Sequence, residues 1–340
     1  MQHHPRTNRS TRMRTIILLA AIVPALGWWT TGKAASSILD THGPRAASIA
    51  TMTRALLALG GAVFVVVLGL FVVAAVKGGE EDEGEQRKGG VVSVVTGGVA
   101  IPVVLLVVLF GYTLWSLRDL AEPAKAAEET IQVVGHQWWW EVTYPDRSFT
   151  TANEIHIPVG KPVEIELTSA DVIHSFWVPE LSDKLDLIPG STNTVWLEAD
   201  EAGEYRGQCA EFCGTQHALM AFVVIADSPD RYDAWVQQQQ QDAAPPSGDL
   251  IEKGQQIYFG SACIYCHTIK GTSSAGKIGP DLTHLGSRSY LAAGTLDNTT
   301  GNLAGWISNP QSVKPGNKMP AIYMSPEDLH ALIAYLESLK

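Results

Sequence analysis

Two long apolar segments, Thr51–Val76 and Val91–Leu117, restrict the possible folds more than any other feature of the chain. Each exceeds the roughly 20 residues that a membrane-spanning helix needs. Each is also longer than the core helix of a soluble domain requires. Backbone in lipid must satisfy its own hydrogen bonds, so both segments are expected as helices. Arg54 stands near the start of the first, and Pro102 predicts a kink in the second. The stretch between them, Lys77–Gly90, is charged: Glu80, Glu81, Asp82, Glu83, Glu85, Arg87 and Lys88.

Ahead of these segments, Met1–Arg14 carries Arg6, Arg9, Arg12 and Arg14 and no acid, and the short apolar run Ile16–Trp29 follows. A basic stretch before a short apolar one is the pattern of a secretory signal. Residues 1–35 are therefore expected to be a signal peptide or, if uncleaved, an anchor. Either alternative puts the charged loop inside and everything after Leu117 outside. The positive-inside count adds little, because the inner loop is mostly acidic.

Charge is lopsided. The net −11 comes mainly from the middle of the chain, where Asp119–Val236 holds 21 acids against 6 bases. Asp249–Lys340 holds 7 of each. An acidic face repels nucleic acid and attracts cationic partners. The four cysteines fall into two tight pairs, Cys209 with Cys213 and Cys263 with Cys266. Disulfide scaffolds spread their cysteines, whereas close pairs beside a histidine point to metal or haem ligation.

From Ile131 to Ile225 the pattern is that of strands. Ile155, Ile157 and Val159 alternate with polar residues, Gly160-Lys161-Pro162 makes a turn, and Val163, Ile165 and Leu167 alternate again. Glu204–Gly207 and Met220–Ile225 read as later strands. Strands joined by Gly/Pro turns without intervening helices predict a small sandwich or barrel. Within it lies Cys209-Ala-Glu211-Phe-Cys213-Gly-Thr-Gln-His217-Ala-Leu-Met220, with His174 upstream in His174-Ser-Phe-Trp-Val-Pro179. Thiolate and thioether favour Cu(I), and imidazole suits either copper state. A single blue-copper ion needs one cysteine. A second in the same loop lets two bridging thiolates hold two coppers. A structural zinc would have no use for the methionine, and a Cys209–Cys213 disulfide is the remaining alternative.

These residues carry a resemblance. The stretch from Ser36 to about Trp235 resembles subunit II of haem–copper cytochrome c oxidases. The elements that match are the two apolar segments, Gly135-His136-Gln137-Trp138-Trp139-Trp140, Asp171-Val-Ile-His174-Ser, Asp186-Leu-Ile-Pro189-Gly190 and the cysteine loop. The resemblance implies a cupredoxin-like β-sandwich or barrel behind a two-helix transmembrane hairpin. It implies that His174, Cys209, Cys213, His217 and Met220 bind the dinuclear CuA centre, with the backbone carbonyl of Glu211 as the sixth ligand. The Glu211 carboxylate would reach a magnesium ion shared with subunit I. Trp138 would be the surface residue where electrons enter, with Trp139 and Trp140 packing between the domain and its partner. His156, His284 and His136 receive no ligand role. The chain departs from the family at the head of its second apolar segment. Gly89-Gly-Val-Val-Ser-Val-Val-Thr96 lacks the acid that often opens a proton channel there, so Glu85 or a neighbour would substitute, or protons enter otherwise.

Beyond the polar, proline-bearing stretch 237–248 lies Cys263-Ile-Tyr-Cys266-His267, a haem-attachment motif. No strand–helix–strand pattern surrounds it, as a thioredoxin-like site would require. A methionine sixth ligand raises the haem potential. Met319, in Lys318-Met-Pro320, is preferred over Met324, which directly precedes a helix start. That start is Ser325-Pro-Glu-Asp328, with capping-box chemistry and Pro at the first position. Leu329, Leu332, Ile333, Leu336 and Leu339 share one face of the helix. With a short helix at Leu250–Phe259, the stretch Asp249–Lys340 resembles an all-α class I cytochrome c.

The expected organisation is thus signal or anchor (1–35), transmembrane hairpin (36–118), copper domain (119–236), linker (237–248) and haem domain (249–340). Fusion of the last two domains resembles the cytochrome caa-type oxidases. That implies electron transfer from a soluble cytochrome c or a bc-type complex, through haem c and CuA, to an oxygen-reducing subunit I. It also implies a bacterial cell membrane with both domains outside. A CuA-bearing nitric oxide reductase subunit and a stand-alone membrane electron carrier or copper-handling protein are the alternatives.

Overall fold

The apolar segments form helices in the computed structural model, which describes residues 37–77, 88–121 and 126–340. The expected signal or anchor and Glu85 lie outside the described residues. Helix α1 is Pro44–Lys77 and starts seven residues ahead of the apolar run. Its first turn is not free, since Ala46 is buried and its amide donates to Leu181 O of the next domain at 3.3 Å. Helix α2, Lys88–Val95, continues through a π turn at Thr96–Ala100 into α3, Ile101–Ala121. The irregularity expected at Pro102 therefore appears one turn earlier. The Ile101 N–H bonds Thr96 O, five residues back. Proline lacks the N–H to continue a regular ladder, and a widened turn accommodates this. The two candidate spans, Pro44–Val76 and Gly90–Arg118, have mean hydropathies of 2.9 and 2.7.

Ten strands follow: β1 Thr130–His136, β2 Trp139–Tyr144, β3 Phe149–Ala152, β4 Glu154–Pro158, β5 Val163–Ser169, β6 His174–Trp177, β7 Leu185–Leu187, β8 Asn193–Leu197, β9 Gly203–Cys209 and β10 Ala221–Asp227. They make two five-stranded sheets, ordered β3-β2-β1-β5-β8 and β4-β10-β9-β6-β7. The pairs β1/β5 and β4/β10 are parallel. In β5 every second residue is buried, as its alternation predicts. Between the sheets, Trp140 sits edge-on to Phe176 and Phe222.

Strand β4 departs from its expected one-sided burial, for all five residues are buried. Its outward side is covered twice. Helix α4, Pro229–Gln239, lays Trp235 flat on His156 at 3.9 Å between ring centroids. Glu154 accepts hydrogen bonds from the Ser289 and Tyr290 amides of the last domain. His156 Nδ1 lies 2.7 Å from Asp227 Oδ2, so it is a packed, partnered histidine.

The last domain is built on α5 Asp249–Phe259, α6 Cys263–Cys266, the short pair β11 Tyr290–Leu291 and β12 Leu296–Asp297, α7 Thr300–Ser308, α8 Pro310–Val313 and α9 Pro326–Ser338. Ser325 caps α9 by accepting the Asp328 amide at 3.1 Å, worth about 1 kcal/mol. Gly254 lets α5 cross α9 closely: a Cβ there would meet the Ala331 carbonyl and stand 2.8 Å from Tyr335 Cβ.

The stretch expected as a linker starts inside α4, which runs to Gln239. Its later residues are held rather than free. Gln240 Nε2 donates to Arg147 O at 2.9 Å, and the Ala243 amide donates to Lys270 O at 3.1 Å. At the membrane end, Arg45 on α1 binds Ser182 Oγ at 3.1 Å and Asp183 Oδ1 at 2.6 Å, and also donates to Leu120 O. One guanidinium thus ties both membrane helices to the sandwich.

Candidate functional site

Strand β6 brings in His174 and the end of β9 brings in Cys209. The loop leading to β10 supplies Cys213, His217 and Met220. The sulfurs of Cys209 and Cys213 stand 3.7 Å apart. That is far beyond a disulfide bond of about 2.05 Å. His174 Nδ1 lies 3.9 Å from Cys209 Sγ, and His217 Nδ1 lies 3.8 Å from Cys213 Sγ. Met220 Sδ is 3.9 Å from Cys213 Sγ, and Glu211 O is 3.2 Å from Cys209 Sγ. Two central sulfurs with one imidazole beside each form an elongated donor set, which suits a pair of ions better than a single tetrahedral one.

The site is prepared for metal electrostatically. Cys209 is pulled down to about 3, chiefly by its hydrogen bond with the Cys213 thiol and against desolvation, with help from His174. Cys213 is pushed up by the same partner. The two thiols titrate together, and binding a metal releases the protons they hold. His174 Nε2 lies 2.9 Å from Asp171 Oδ1, which leaves Nδ1 aimed at sulfur with its lone pair. Asp171 also accepts the Gln137 amide at 2.7 Å and pairs with Lys318 of the last domain at 3.5 Å. Gly135 makes room for the imidazole: a Cβ would stand 2.8 Å from His174 Cδ2.

The second motif opens onto a cavity lined by Cys263, Cys266, His267 and Met319. His267 Nδ1 donates to Pro280 O at 2.7 Å, which leaves Nε2 as a free donor atom for iron. Burial keeps this ring neutral by lowering its pKa. Gly279 has to be glycine, because a Cβ would stand 2.6 Å from His267 Cε1. Met319 is held by Gln311, whose Nε2 donates to Met319 O at 3.1 Å, and by Asn317, which accepts the Met319 amide at 2.8 Å. Met324 packs against the helical core and does not line the cavity. Arg288, on the cavity wall, has a buried Nε without an acceptor among the described residues, which suits a ligand bearing carboxylates. Both cofactor types thus fit the residues present.

The copper domain closes the same cavity, through Gln137, Trp138, Trp139 and Asn153. Trp138 is half-buried, on the wall between the copper domain and the last domain. Its Nε1 donates to Cys213 O at 3.1 Å. Trp139 stacks on His136 at 4.4 Å and faces the cavity, and Trp140 is fully buried inside the sandwich. Trp140 is therefore not available to pack against an outside partner, as expected for it. Lys314, Arg288 and Glu154 went unnoticed in the sequence, since single charged residues outside a motif give no signal there. His284 is buried and neither ring nitrogen has a partner among the described residues.

Both domains are similar to known proteins. The family model "Cytochrome C oxidase subunit II, periplasmic domain" matches residues 146–227, and the "Cytochrome c" model matches 251–340. Cytochrome c oxidase subunit 2 of Alkalihalophilus pseudofirmus is 46% identical over 246 residues, covering 71% of each chain. That of Bacillus sp. strain PS3 is 35% identical over 259 residues, covering 71% of this chain and 72% of the relative. A solved periplasmic domain of subunit II of cytochrome oxidase from Bradyrhizobium japonicum is 33% identical, with a TM-score of 0.33. It covers 34% of this chain and 96% of that domain. With two-thirds of its relatives' length matched and a donor set that fits copper and haem, the chain belongs to the cytochrome c oxidase subunit 2 family.

Proposed function

We propose that this subunit delivers electrons to the oxygen-reducing subunit of its oxidase through a copper pair held by His174, Cys209, Glu211 O, Cys213, His217 and Met220. The haem that feeds this centre is held by Cys263, Cys266, His267 and Met319. When bound, each group supplies reversible one-electron chemistry. The observation that carries the reading is the shared wall. Trp138 lines the haem cavity and is hydrogen-bonded to the peptide of Cys213. Asp171 and Pro280 O orient the two ligand imidazoles, and Gln311 and Asn317 hold the thioether loop. Rigid ligands of this kind keep reorganisation small. The oxidase subunit is favoured over the nitric oxide reductase and the stand-alone carrier by its relatives.

Several finer assignments belong to the same proposal. Trp138 is the residue through which electrons pass to copper. The Glu211 carboxylate, partly exposed and 3.9 Å from Lys184 Nζ, reaches a magnesium ion shared with subunit I. The donor is a soluble cytochrome c or a bc-type complex, and the domains face outward from a bacterial cell membrane. Exposed Phe212, Val172 and Ile173, close in sequence to the copper ligands, suit burial against subunit I. The test is an optical and paramagnetic-resonance spectrum of the purified complex. A mixed-valence copper signal together with a c-type haem band is expected, and absence of either overturns the corresponding assignment. Manganese placed in the magnesium site should give a resonance that Glu211→Gln removes. A signal that persists unchanged would rule out the carboxylate.

A further inference from the structure

Lys314 is only 2% exposed, yet it ends in an amine, whose pKa burial lowers to about 7. Burying such a polar group is costly unless it is hydrogen-bonded. Its Nζ donates to two backbone carbonyls, one from each domain: Ala292 O and Trp138 O, both at 3.1 Å. The next residue is gripped as well, since Gln216 of the copper loop donates to Pro315 O. Gln216 is itself buried and directly precedes the ligand His217. From the ring of the same residue, Trp138 Nε1 donates to Cys213 O at 3.1 Å. Trp138 is thus held at both ends, by the copper loop through its ring and by the haem domain through its peptide.

A methylene chain alone would fill this space at lower cost, so packing does not account for an amine bonded to one carbonyl of each domain. We propose that Lys314 is a positioning residue for electron transfer between the haem and copper sites, acting through Trp138. The inference rests on the copper-and-haem reading above. The step it serves oxidises the ferrous haem by one electron and reduces the oxidised copper pair by one. No bond forms or breaks. Lys314 touches neither reacting centre. It sets the distance and orientation of the indole between them, and small misplacements in such relays carry large rate penalties.

The experiment uses the intact oxidase with Lys314→Met, Trp138→Leu and the double variant. Single-turnover transfer from haem c to copper is followed after photoreduction. The copper resonance and the haem band report the cofactors independently. Protease cleavage in 240–248 reports whether the haem domain stays seated. Lys314→Met is expected to slow the internal step about tenfold, with both spectra and the cleavage rate unchanged. Trp138→Leu should slow it at least as much, and the double variant should be no slower than Trp138→Leu, because both changes break one relay. Glu154→Ala loosens the same interface away from Trp138, so it should raise cleavage more than Lys314→Met while slowing transfer less. The proposal is overturned if Lys314→Met transfers at the normal rate. It is equally overturned if the two single effects multiply in the double variant, or if slowing follows cleavage alone across all variants. Should Lys314→Met fail to assemble, Lys314→Gln takes its place in the same cycle. Missing cofactor spectra in the unaltered complex would instead overturn the reading beneath it.

Discussion

Cys209 and Cys213 hold their sulfurs 3.7 Å apart, close enough for both to reach the same pair of ions. Neither can be spared. Cys213→Ser is expected to abolish the mixed-valence copper signal while the haem band persists, since the haem ligands lie in another domain. A surviving seven-line hyperfine pattern would disprove bridging by both thiolates. At the haem, Met319→His should lower the midpoint potential, as a thioether favours the ferrous state relative to a second imidazole. Met324→Leu should leave it nearly unchanged, because Met324 does not line the cavity. A potentiometric titration of both variants checks the choice. The proposed ligands could be named from sequence because the copper set, His174 apart, falls within twelve residues and the haem motif within five. Lys314 was not, because its partner Trp138 lies 176 residues away.

Helices and strands were legible wherever burial followed their own period. Strand β5 alternates because only one of its faces meets the core. Strand β4 did not reveal its burial, because α4 and the haem domain cover the face that carries Glu154 and His156. The π turn before Pro102 was read only as a kink, since sequence marks the missing donor and not how the ladder closes around it. The crossing of α5 on α9 depends on one absent side chain. Gly254→Ala would press a methyl group onto the Ala331 carbonyl. It is expected to destabilise the haem domain by about 1–3 kcal/mol, the usual cost of overpacking. Calorimetry of the full-length protein would detect this as an earlier transition, and an unchanged one would mean the helices can separate freely.

At the scale of the whole molecule, the two redox domains share buried polar contacts that composition could not disclose. Burial raises the pKa of Glu154, opposed by nearby Arg288 and His156 and by the amides of Ser289 and Tyr290. Because its pKa in the folded molecule is raised above the ordinary glutamate value, the folded form binds more protons than the unfolded one. Stability should therefore fall as pH climbs from the ordinary glutamate value through the raised one, then level off. Glu154→Gln should flatten that slope, as read from the thermal midpoint of the full-length protein against pH. A slope that persists would assign the dependence to another group.

The stretch between the domains, pinned by Gln240 to Arg147 and by Ala243 to Lys270, has a kinetic consequence. A carrier that must swing through water to reach its acceptor slows in proportion to solvent friction. A domain already seated on its acceptor makes no such excursion. Haem-to-copper transfer in this subunit should therefore keep its rate when glycerol thickens the medium several-fold. Delivery of electrons to the haem by a freely diffusing donor should fall with viscosity under the same conditions.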